Sequence, residues 1–486
     1  MKINIIPNWI DGQESSLEND SWLQKFNPHN NEPISSFVNS TKVDVDNAII
    51  AAQKSFVYWA EESPVRRGQL IRKIAQLMSD RKEFLVKIII SETGKSEKDA
   101  LGEVNASILQ ADYWSGEGMR LFGKSLTSSL SNKHSYTVRK PIGVCGLIVP
   151  ANTSLANIVW KIFPALVSGN TVVLKASEDA PCIAHSMAKL MEEAGLPKGI
   201  VNVIQGVGSI SGNLIVSDTR IKLISFTGST KTGRTIAEIC GRRNARVSLE
   251  LGGKNPFVVC DDADLDLAVH WALLSSFSNS GQRCSASSRI IIFKSVYAEF
   301  RNKFIEGARL LKMGIAKDCD LGPLINEQHM HNVLNWIDVA KQEGGEILIG
   351  GDKSNSPELL NGFYVEPTII ELLPEDSVVY KTEIFGPVVT LQAVSNLSEA
   401  LSLANNSEYG LTSAIHTQSI DRGNWFAHRV NCGVANINFG TFGSEPHMPF
   451  GGFGSSGNGT REPGVEALDV YTELKNISVL IKESFL

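Results

Sequence analysis

The residue best suited to chemistry in this sequence is Cys284, which follows the polar segment FSNSGQR. A loop of small and polar residues can expose a sulfur atom and offer backbone N–H groups to a reacting molecule. A structural cysteine normally lies in an apolar run instead. Cys145, Cys240 and Cys260 do lie in such runs, and we predict that they are core residues. Cys284 is therefore the candidate nucleophile.

Glu250 is the candidate base. It lies 34 residues before Cys284, in the segment ELGGK that precedes the apolar run PFVV. A positioned carboxylate can take a proton from a nucleophile or from water. Taken alone, a glutamate is more often an ordinary surface carboxylate, so the residue type leaves both interpretations open.

A third candidate is Asn152, which follows the apolar run at 144–149. In parallel α/β sheets, ligand groups collect at the carboxyl ends of the strands. Two glycine-rich turns also follow predicted strands, one over 206–212 and one over 226–233. Glycine lets a backbone approach a phosphate, and a helix N-terminus offers free N–H groups. Each of these features could equally be a plain turn.

These candidates depend on a parallel α/β sheet for their positions. Buried strands that alternate with helices are typical of such sheets. We predict helices after Ser63-Pro64, around 100–113 and at 184–194, 297–311 and 328–343. We predict strands at 144–149, 171–174, 201–205, 223–226, 257–259 and 289–293. The polar stretch 125–139 is either a flexible linker or an exposed β-hairpin.

Composition excludes several classes of protein. With 42% hydrophobic and 20% charged residues in 486, the chain is neither disordered nor a coiled coil. A net charge of −6 argues against nucleic acid as a partner. The seven dispersed cysteines indicate reduced thiols and no metal site. We see no signal peptide and no apolar run long enough to span a membrane, and therefore expect a cytoplasmic protein.

Taken together, the segments resemble the NAD(P)-dependent aldehyde dehydrogenase superfamily over nearly the whole chain, and they keep the family's 34-residue separation of glutamate and cysteine. One departure is Ala151, where the family usually has tryptophan. The motifs that carry the resemblance are Pro150-Ala-Asn152, Thr171-Val-Val-Leu-Lys175-Ala-Ser-Glu178, Phe226-Thr-Gly228-Ser229, Glu250-Leu-Gly-Gly-Lys254, Gly281-Gln-Arg-Cys284, Glu383-Ile-Phe385-Gly-Pro387 and Pro449-Phe450-Gly-Gly452.

The resemblance implies an α/β fold with three parts. A Rossmann-like cofactor domain would comprise 1–120 and 140–252, and an α/β catalytic domain would comprise 253–455. Residues 121–139 and 456–486, with a strand near 476–480, would form a small β oligomerisation arm. A polar edge strand of this kind would pair across subunits of a homodimer or homotetramer.

The resemblance also implies roles for the candidates. Cys284 would attack the aldehyde, Asn152 and the Cys284 N–H would hold the oxyanion, and Glu250 would activate water to hydrolyse the thioester. Lys161 and Glu462 match positions associated with proton relay. The residues expected to bind the cofactor are Lys175, Ser177, Glu178, Gly208, Gly212, Phe226, Thr227, Gly228, Ser229, Leu251, Glu383 and Phe385.

The expected cofactor is NAD, with NADP possible. A carboxylate at Glu178 would accept hydrogen bonds from ribose hydroxyls and repel a 2′-phosphate, whereas Lys175 would favour the phosphate. The expected substrate is a semialdehyde with an anionic end, because Arg283 precedes the nucleophile and an arginine fork binds carboxylates. Arg283 could instead bond to backbone carbonyls behind the loop. The other predicted substrate contacts are Ser285, Trp160 and Phe450.

Two alternative functions remain. A CoA-acylating aldehyde dehydrogenase would have the same fold, although some such relatives lack a carboxylate at the position of Glu250. A catalytically inactive binding protein could also keep the fold, but it would not need the nucleophile, oxyanion donor and base together.

Overall fold

The computed structural model describes residues 4–15 and 21–482. The N-terminal part consists of short strands followed by long helices. The strands are β1 (Asn4–Ile6), β2 (Asn8–Ile10), β3 (Gln13–Ser15), β4 (Trp22–Phe26) and β5 (Pro33–Val38). The helices are α1 (Lys42–Trp59), α2 (Pro64–Asp80), α3 (Lys82–Thr93) and α4 (Glu97–Glu117). The helix predicted after Ser63 is confirmed as α2, which has Pro64 in its first turn.

The central part forms a seven-stranded sheet in the order β12-β11-β8-β9-β10-β2-β3. Neighbouring strands from β12 to β10 are parallel, and β2 and β3 add an antiparallel edge. The strands of this part are β6 (Ser125–Leu126), β7 (Lys133–Pro141), β8 (Val144–Ile148), β9 (Thr171–Lys175), β10 (Val201–Ile204), β11 (Ile221–Thr227) and β12 (Arg246–Glu250). The helices are α5 (Ser154–Val167), α6 (Pro181–Glu193), α7 (Asn213–Ser217) and α8 (Thr230–Arg242).

A second seven-stranded sheet follows, in the order β15-β16-β17-β14-β13-β19-β20. Its strands, with the short β18, are β13 (Asn255–Val259), β14 (Ser287–Phe293), β15 (Glu346–Ile349), β16 (Thr368–Glu371), β17 (Val388–Val394), β18 (Tyr409–Gly410), β19 (Thr412–His416) and β20 (Val434–Ile437). The helices are α9 (Leu265–Phe277), α10 (Lys294–Arg309), α11 (Glu327–Gln342), α12 (Leu397–Asn405) and α13 (Ile420–Ala427). The predicted helices at 297–311 and 328–343 are confirmed as α10 and α11 with small shifts of their ends.

The chain ends in β21 (Phe453–Gly454), α14 (Ala467–Tyr471) and β22 (Thr472–Leu480). β22 pairs antiparallel with β7 along nine residues, and β6 pairs with the other edge of β7. Of the two interpretations of 125–139, the structure therefore shows the hairpin. The strand β7 continues to Pro141, two residues beyond the predicted end of the arm segment.

Both faces of the first sheet are buried, as its uninterrupted apolar strands predict. Along β9, Val172 and Leu174 pack in a core that also contains residues of α5 and α6, whereas Val173 packs with residues of α1. The predicted core cysteines 145, 240 and 260 are fully buried. Within residues 4–15 and 21–482, no helix combines the length and apolar character that crossing a bilayer requires.

Candidate active site

The candidate residues gather at the carboxyl edge of the first sheet. Asn152 follows β8, Lys175 ends β9, Thr227 ends β11 and Glu250 ends β12. Because these strands are parallel, their carboxyl ends lie on one side of the sheet. Separate segments of sequence are brought together in this way without any long loop.

A cavity of about 1080 Å³ opens at this edge and extends to the second sheet. It contains the predicted nucleophile, base and oxyanion donor together. The predicted site residues that line it are Asn152, Trp160, Thr227, Gly228, Ser229, Glu250, Leu251, Arg283, Cys284, Ser285, Glu383, Phe385 and Phe450. The predicted residues that lie outside its lining are Lys161, Lys175, Ser177, Glu178, Gly208, Gly212, Phe226 and Glu462.

Cys284 lies just after a tight 3-10 turn at Ser278–Gly281. Asn279 and Ser280 both have left-handed backbone angles, with φ of 53° and 54°. Such strain is typical of functional sites held by their surroundings. Burial raises the pKa of the Cys284 thiol to about 12, and the carboxylates of Glu383 and Glu250 add to this rise. The thiol is therefore protonated at neutral pH until a base removes its proton.

Asn152 faces the turn that carries the nucleophile. Its amide Nδ2 donates to the carbonyl oxygen of Gln282 at 2.9 Å. The Asn279 side-chain amide donates to the backbone carbonyl of Asn152 at 3.2 Å and to the backbone carbonyl of Gln282 at 3.1 Å. The strand end that carries Asn152 is therefore fixed directly to the loop of Cys284.

Glu250 is buried, with only 5% of its surface exposed. Neither of its carboxyl oxygens has a hydrogen-bond partner among the described residues. Burial raises the pKa of Glu250 well above its usual value, and the negative charge of Glu462 adds to the rise, while Lys161 and Arg461 oppose it. A carboxyl with such a raised pKa is suited to proton transfer near neutral pH.

Lys161 and Glu462 form a buried ion pair of 2.7 Å behind the cavity. The hydroxyl of Ser225 accepts from Lys161 and donates to Glu462, each at 2.7 Å. Ser248 and Tyr471 donate to the same Glu462 oxygen at 3.3 Å. The structure thus joins two residues that are 301 positions apart into one hydrogen-bonded network.

A second group of candidates lies at the end of β9. Lys175 donates to Glu178 at 2.7 Å, and the backbone N–H of Gly208 donates to the other Glu178 oxygen at 3.3 Å. Burial works against the charged form of Glu178, but Lys175 and these N–H donors hold its pKa below the usual value. The carboxylate is therefore ionised and fixed in place.

Glycines make room around the remaining cofactor candidates. A Cβ atom at Gly228 would lie 2.5 Å from the ring of Phe226, and one at Gly252 would lie 2.1 Å from the Glu383 carboxylate. Glu383 accepts from the N–H of Gly253 at 2.9 Å, and burial raises its pKa to about 7. Glycine is therefore required at Gly228 and Gly252, because any side chain there would collide with the Phe226 ring or the Glu383 carboxylate.

Arg283 is already partnered. Its guanidinium donates to Asp99 at 3.0 Å and lies 5.0 Å from the ring centre of Phe442. Nearby Arg289 instead donates to the backbone carbonyls of Lys254, Leu403 and Ala404 behind the loop. Arg283 thus lines the cavity, while Arg289 has a structural role.

The other substrate candidates form part of an apolar wall. The rings of Trp160 and Phe450 meet edge to face with their centres 5.5 Å apart. Ser285 is buried, and its carbonyl accepts from the Thr441 hydroxyl at 2.6 Å. An aldehyde with a carbon stem would find apolar contacts here.

Several residues of the site were missed by the sequence analysis. Asp99 and His329 line the cavity, and His329 is 2.7 Å from the Phe385 carbonyl. Ser225 lies in the middle of an apolar strand, and its polarity there was the available signal. Asn279 could have been suspected from the small-residue turn that precedes Cys284.

Comparison with known proteins identifies relatives of this chain and solved structures similar to it. The chain is 35% identical to an α-ketoglutaric semialdehyde dehydrogenase of Bacillus subtilis over 98% of both chains. It is also 35% identical to a D-glyceraldehyde dehydrogenase (NADP(+)) of Picrophilus torridus, over 97% of this chain and 95% of the relative. The crystal structure of a betaine aldehyde dehydrogenase from Staphylococcus aureus in complex with NAD+ superimposes with a TM-score of 0.95. That protein is 34% identical, and the match covers 97% of this chain and 94% of the other.

The fold predicted from the resemblance is confirmed by this structural match. The family profile described as Aldehyde dehydrogenase family matches residues 14–477. The chain therefore belongs to the aldehyde dehydrogenase family and is an oxidoreductase that oxidises aldehydes.

Proposed function

We propose that Cys284, Asn152 and Glu250 oxidise a semialdehyde with an anionic end to the corresponding carboxylate, with NAD as the cofactor. The observation that carries this proposal is that all three side chains line one cavity. Glu383 and Phe385 line the same cavity, so cofactor and substrate would meet at the sulfur of Cys284.

The Cys284 thiol first loses its proton to solvent, and the sulfur then attacks the carbonyl carbon. The carbonyl oxygen then carries the negative charge, and the Asn152 amide and the Cys284 N–H are its donors. Removing one donor of this kind typically lowers the rate by about 10²–10³. When bound, the nicotinamide cofactor supplies the acceptor for the hydride that leaves the substrate carbon.

The resulting thioester is cleaved by water. Glu250 takes a proton from that water, so the oxygen adds to the acyl carbon and the Cys284 sulfur leaves. General base catalysis of this kind contributes roughly 10²–10⁴ in rate. The buried network of Lys161, Ser225 and Glu462 lies close enough for its charges to act on Glu250, which supports a role for it in receiving the proton.

The residues around the sheet edge fit a nicotinamide dinucleotide. Glu178 presents a fixed carboxylate for the hydroxyls of the adenosine ribose. Gly228 and Ser229 lie at the N-terminus of α8, where free N–H groups favour a pyrophosphate. Glu383 presents a second carboxylate for the nicotinamide ribose. The ionised state of Glu178 favours NAD over NADP.

An anionic end on the substrate is supported by Lys98 and, once its pairing with Asp99 is broken, by Arg283. Arg283 and Lys98 both line the cavity, and Lys98 forms no ion pair within residues 4–15 and 21–482. Asp99 is the acid that partners Arg283. The named relatives include both a semialdehyde and a betaine aldehyde dehydrogenase, so family membership does not fix the charge of the substrate. An anionic end is therefore inferred from the side chains that line this cavity.

The test is the rate of NADH or NADPH formation from a panel of aldehydes without CoA. We expect steady turnover with NAD and the highest kcat/KM for carboxylate-terminated semialdehydes. Turnover that requires added CoA would support an acylating enzyme instead. Absence of both turnover and cofactor binding would support an inactive protein of the same fold.

We further infer a cytoplasmic homodimer or homotetramer. The dispersed thiols, all of them free cysteines, support a reducing compartment. The sheet of β6, β7 and β22 exposes Leu126, Tyr136 and Leu474, which supports pairing with another subunit. The predicted division into a cofactor domain, a catalytic domain and this arm stays part of the proposal, and sedimentation analysis tests the oligomeric state.

A further inference from the structure

The helix α5 begins two residues after Asn152, at Ser154. The first N–H groups of a helix lack partners within the helix and need an external acceptor. Within the described chain, the N-cap residue Thr153 makes no side-chain cap bond. Something other than the local sequence must therefore hold this helix start.

That acceptor is Glu103, from the distant helix α4. Its Oε1 accepts from the N–H of Leu155 at 2.8 Å and from the N–H of Ala156 at 3.3 Å. A carboxylate at this place also interacts favourably with the helix dipole. The contact ties the strand end that carries Asn152 to α4.

The other carboxylate oxygen of Glu103 accepts a hydrogen bond from the ammonium group of Lys95, which lies two residues before the start of α4. Side chains of both residues are only 3% exposed. Because the pair is buried and joined by a hydrogen bond, neither partner can turn away without leaving a buried charge unpaired. Glu103 is therefore a rigid support, unlike a surface cap.

We propose that Glu103 is a positioning residue for the reaction. By holding the start of α5, it keeps the Asn152 amide in place against the Cys284 loop. This inference rests on the proposed role of Asn152 as oxyanion donor. A shift of about 1 Å in a reacting group can cost on the order of 10² in rate. If Glu103 releases the first turn of α5, the amide of Asn152 moves with it.

The test measures the pre-steady-state burst of NADH at saturating NAD and aldehyde in Glu103→Gln. A glutamine offers one acceptor oxygen, so it cannot serve both Lys95 and the helix start. We expect the burst rate to fall roughly ten- to hundredfold while the Kd for NAD stays unchanged. Glu103→Asp, which keeps the charge but retracts the carboxylate, is the second variant if Glu103→Gln does not fold.

Glu92→Gln is the matched control. Glu92 is also a buried carboxylate, and it accepts from the N–H groups of Cys182 and Ile183 at the start of α6. It therefore shares the capping chemistry but does not support Asn152. We expect this variant to lose thermal stability and to keep the burst rate.

The double variant distinguishes positioning from general damage. In the Asn152→Ala background, Glu103→Gln should change the burst rate less than about twofold, because residues that act through one group are non-additive. The inference is overturned if the burst-rate losses of the two single variants multiply fully in the double variant, or if Glu92→Gln loses as much burst rate as Glu103→Gln. Either result leaves the role of Asn152 intact. An Asn152→Ala enzyme with a normal burst would overturn both.

Discussion

The carboxylate of Asp99 accepts a hydrogen bond from the Arg283 guanidinium at 3.0 Å, so a group 184 residues away offsets the positive charge next to Cys284. Asp99 also accepts from the N–H of Asn279 at 2.9 Å. One carboxylate thus controls both the charge at the cavity wall and the start of the nucleophile turn.

The first prediction concerns this pair. Asp99→Asn should raise kcat/KM for a carboxylate-terminated aldehyde relative to a neutral one of equal length, because the freed guanidinium can bond to the substrate. A charge-assisted hydrogen bond contributes about 1.5–3 kcal/mol, so the ratio should rise roughly ten- to hundredfold.

Arg283→Ala should lower the same ratio, and Asp112→Asn, an exposed substitution on α4, should leave it unchanged. If the wild-type enzyme prefers neutral aldehydes, the proposal that the substrate has an anionic end is wrong. An unchanged ratio in Arg283→Ala would show that Arg283 is not the anchor.

The second prediction concerns the nucleophile. Cys284→Ala should abolish aldehyde oxidation while leaving NAD binding and thermal stability intact, because no sulfur remains to form the thioester. Cys182→Ala, at a partly buried cysteine away from the cavity, should keep normal turnover. Turnover of Cys284→Ala at a near-normal rate would show that the mechanism is wrong.

The third prediction separates acylation from hydrolysis. Glu250→Gln should keep the burst of NADH and lose steady turnover by roughly 10²–10⁴, since the base is needed to activate water. Stopped-flow absorbance measures both phases in one experiment. Loss of the burst as well would assign Glu250 an earlier step, such as taking the proton of the thiol.

The fourth prediction concerns pH. Burial and the charge of Glu462 both raise the pKa of Glu250, and a base works only when deprotonated. Thioester hydrolysis should therefore slow as the pH falls through this raised pKa. Glu462→Gln removes one cause of the rise, so the acidic limb of the profile should move to lower pH by on the order of one unit. Glu466→Gln, an exposed neighbour, should leave the limb in place, and a shift to higher pH in Glu462→Gln would contradict the assignment.

The fifth prediction concerns the cofactor. Glu178→Ser should raise kcat/KM with NADP and lower it with NAD, because the carboxylate that repels a 2′-phosphate is gone and Lys175 loses its partner. Steady-state rates with both cofactors give the ratio. A wild-type preference for NADP, together with little effect of the substitution, would show that Glu178 does not select the cofactor.

Much of the site could be predicted because it lies at strand ends. Asn152 and Thr227 follow the predicted strands at 144–149 and 223–226, and parallel strands place such residues at one edge. Glu250 ends β12, whose sequence RVSLE lacks the apolar run that predicts a strand. The predicted strand at 171–174 and helix at 184–194 are likewise confirmed as β9 and α6, because their periodicity matches burial on both faces of the sheet. Resemblance, and not periodicity, supplied Lys161 and Glu462.

The sequence by itself determined the six apolar strands β8 to β11, β13 and β14, the core cysteines and the candidate reactive groups. Only the tertiary structure decided their partners: Asp99 for Arg283, Glu103 for the start of α5, and Ser225 between Lys161 and Glu462. Hydrogen bonds form over about 3 Å, and whether two side chains come that close depends on how helices and sheets pack. Local patterns fix which face a residue occupies, but the distance across an interface is set by every side chain that fills it.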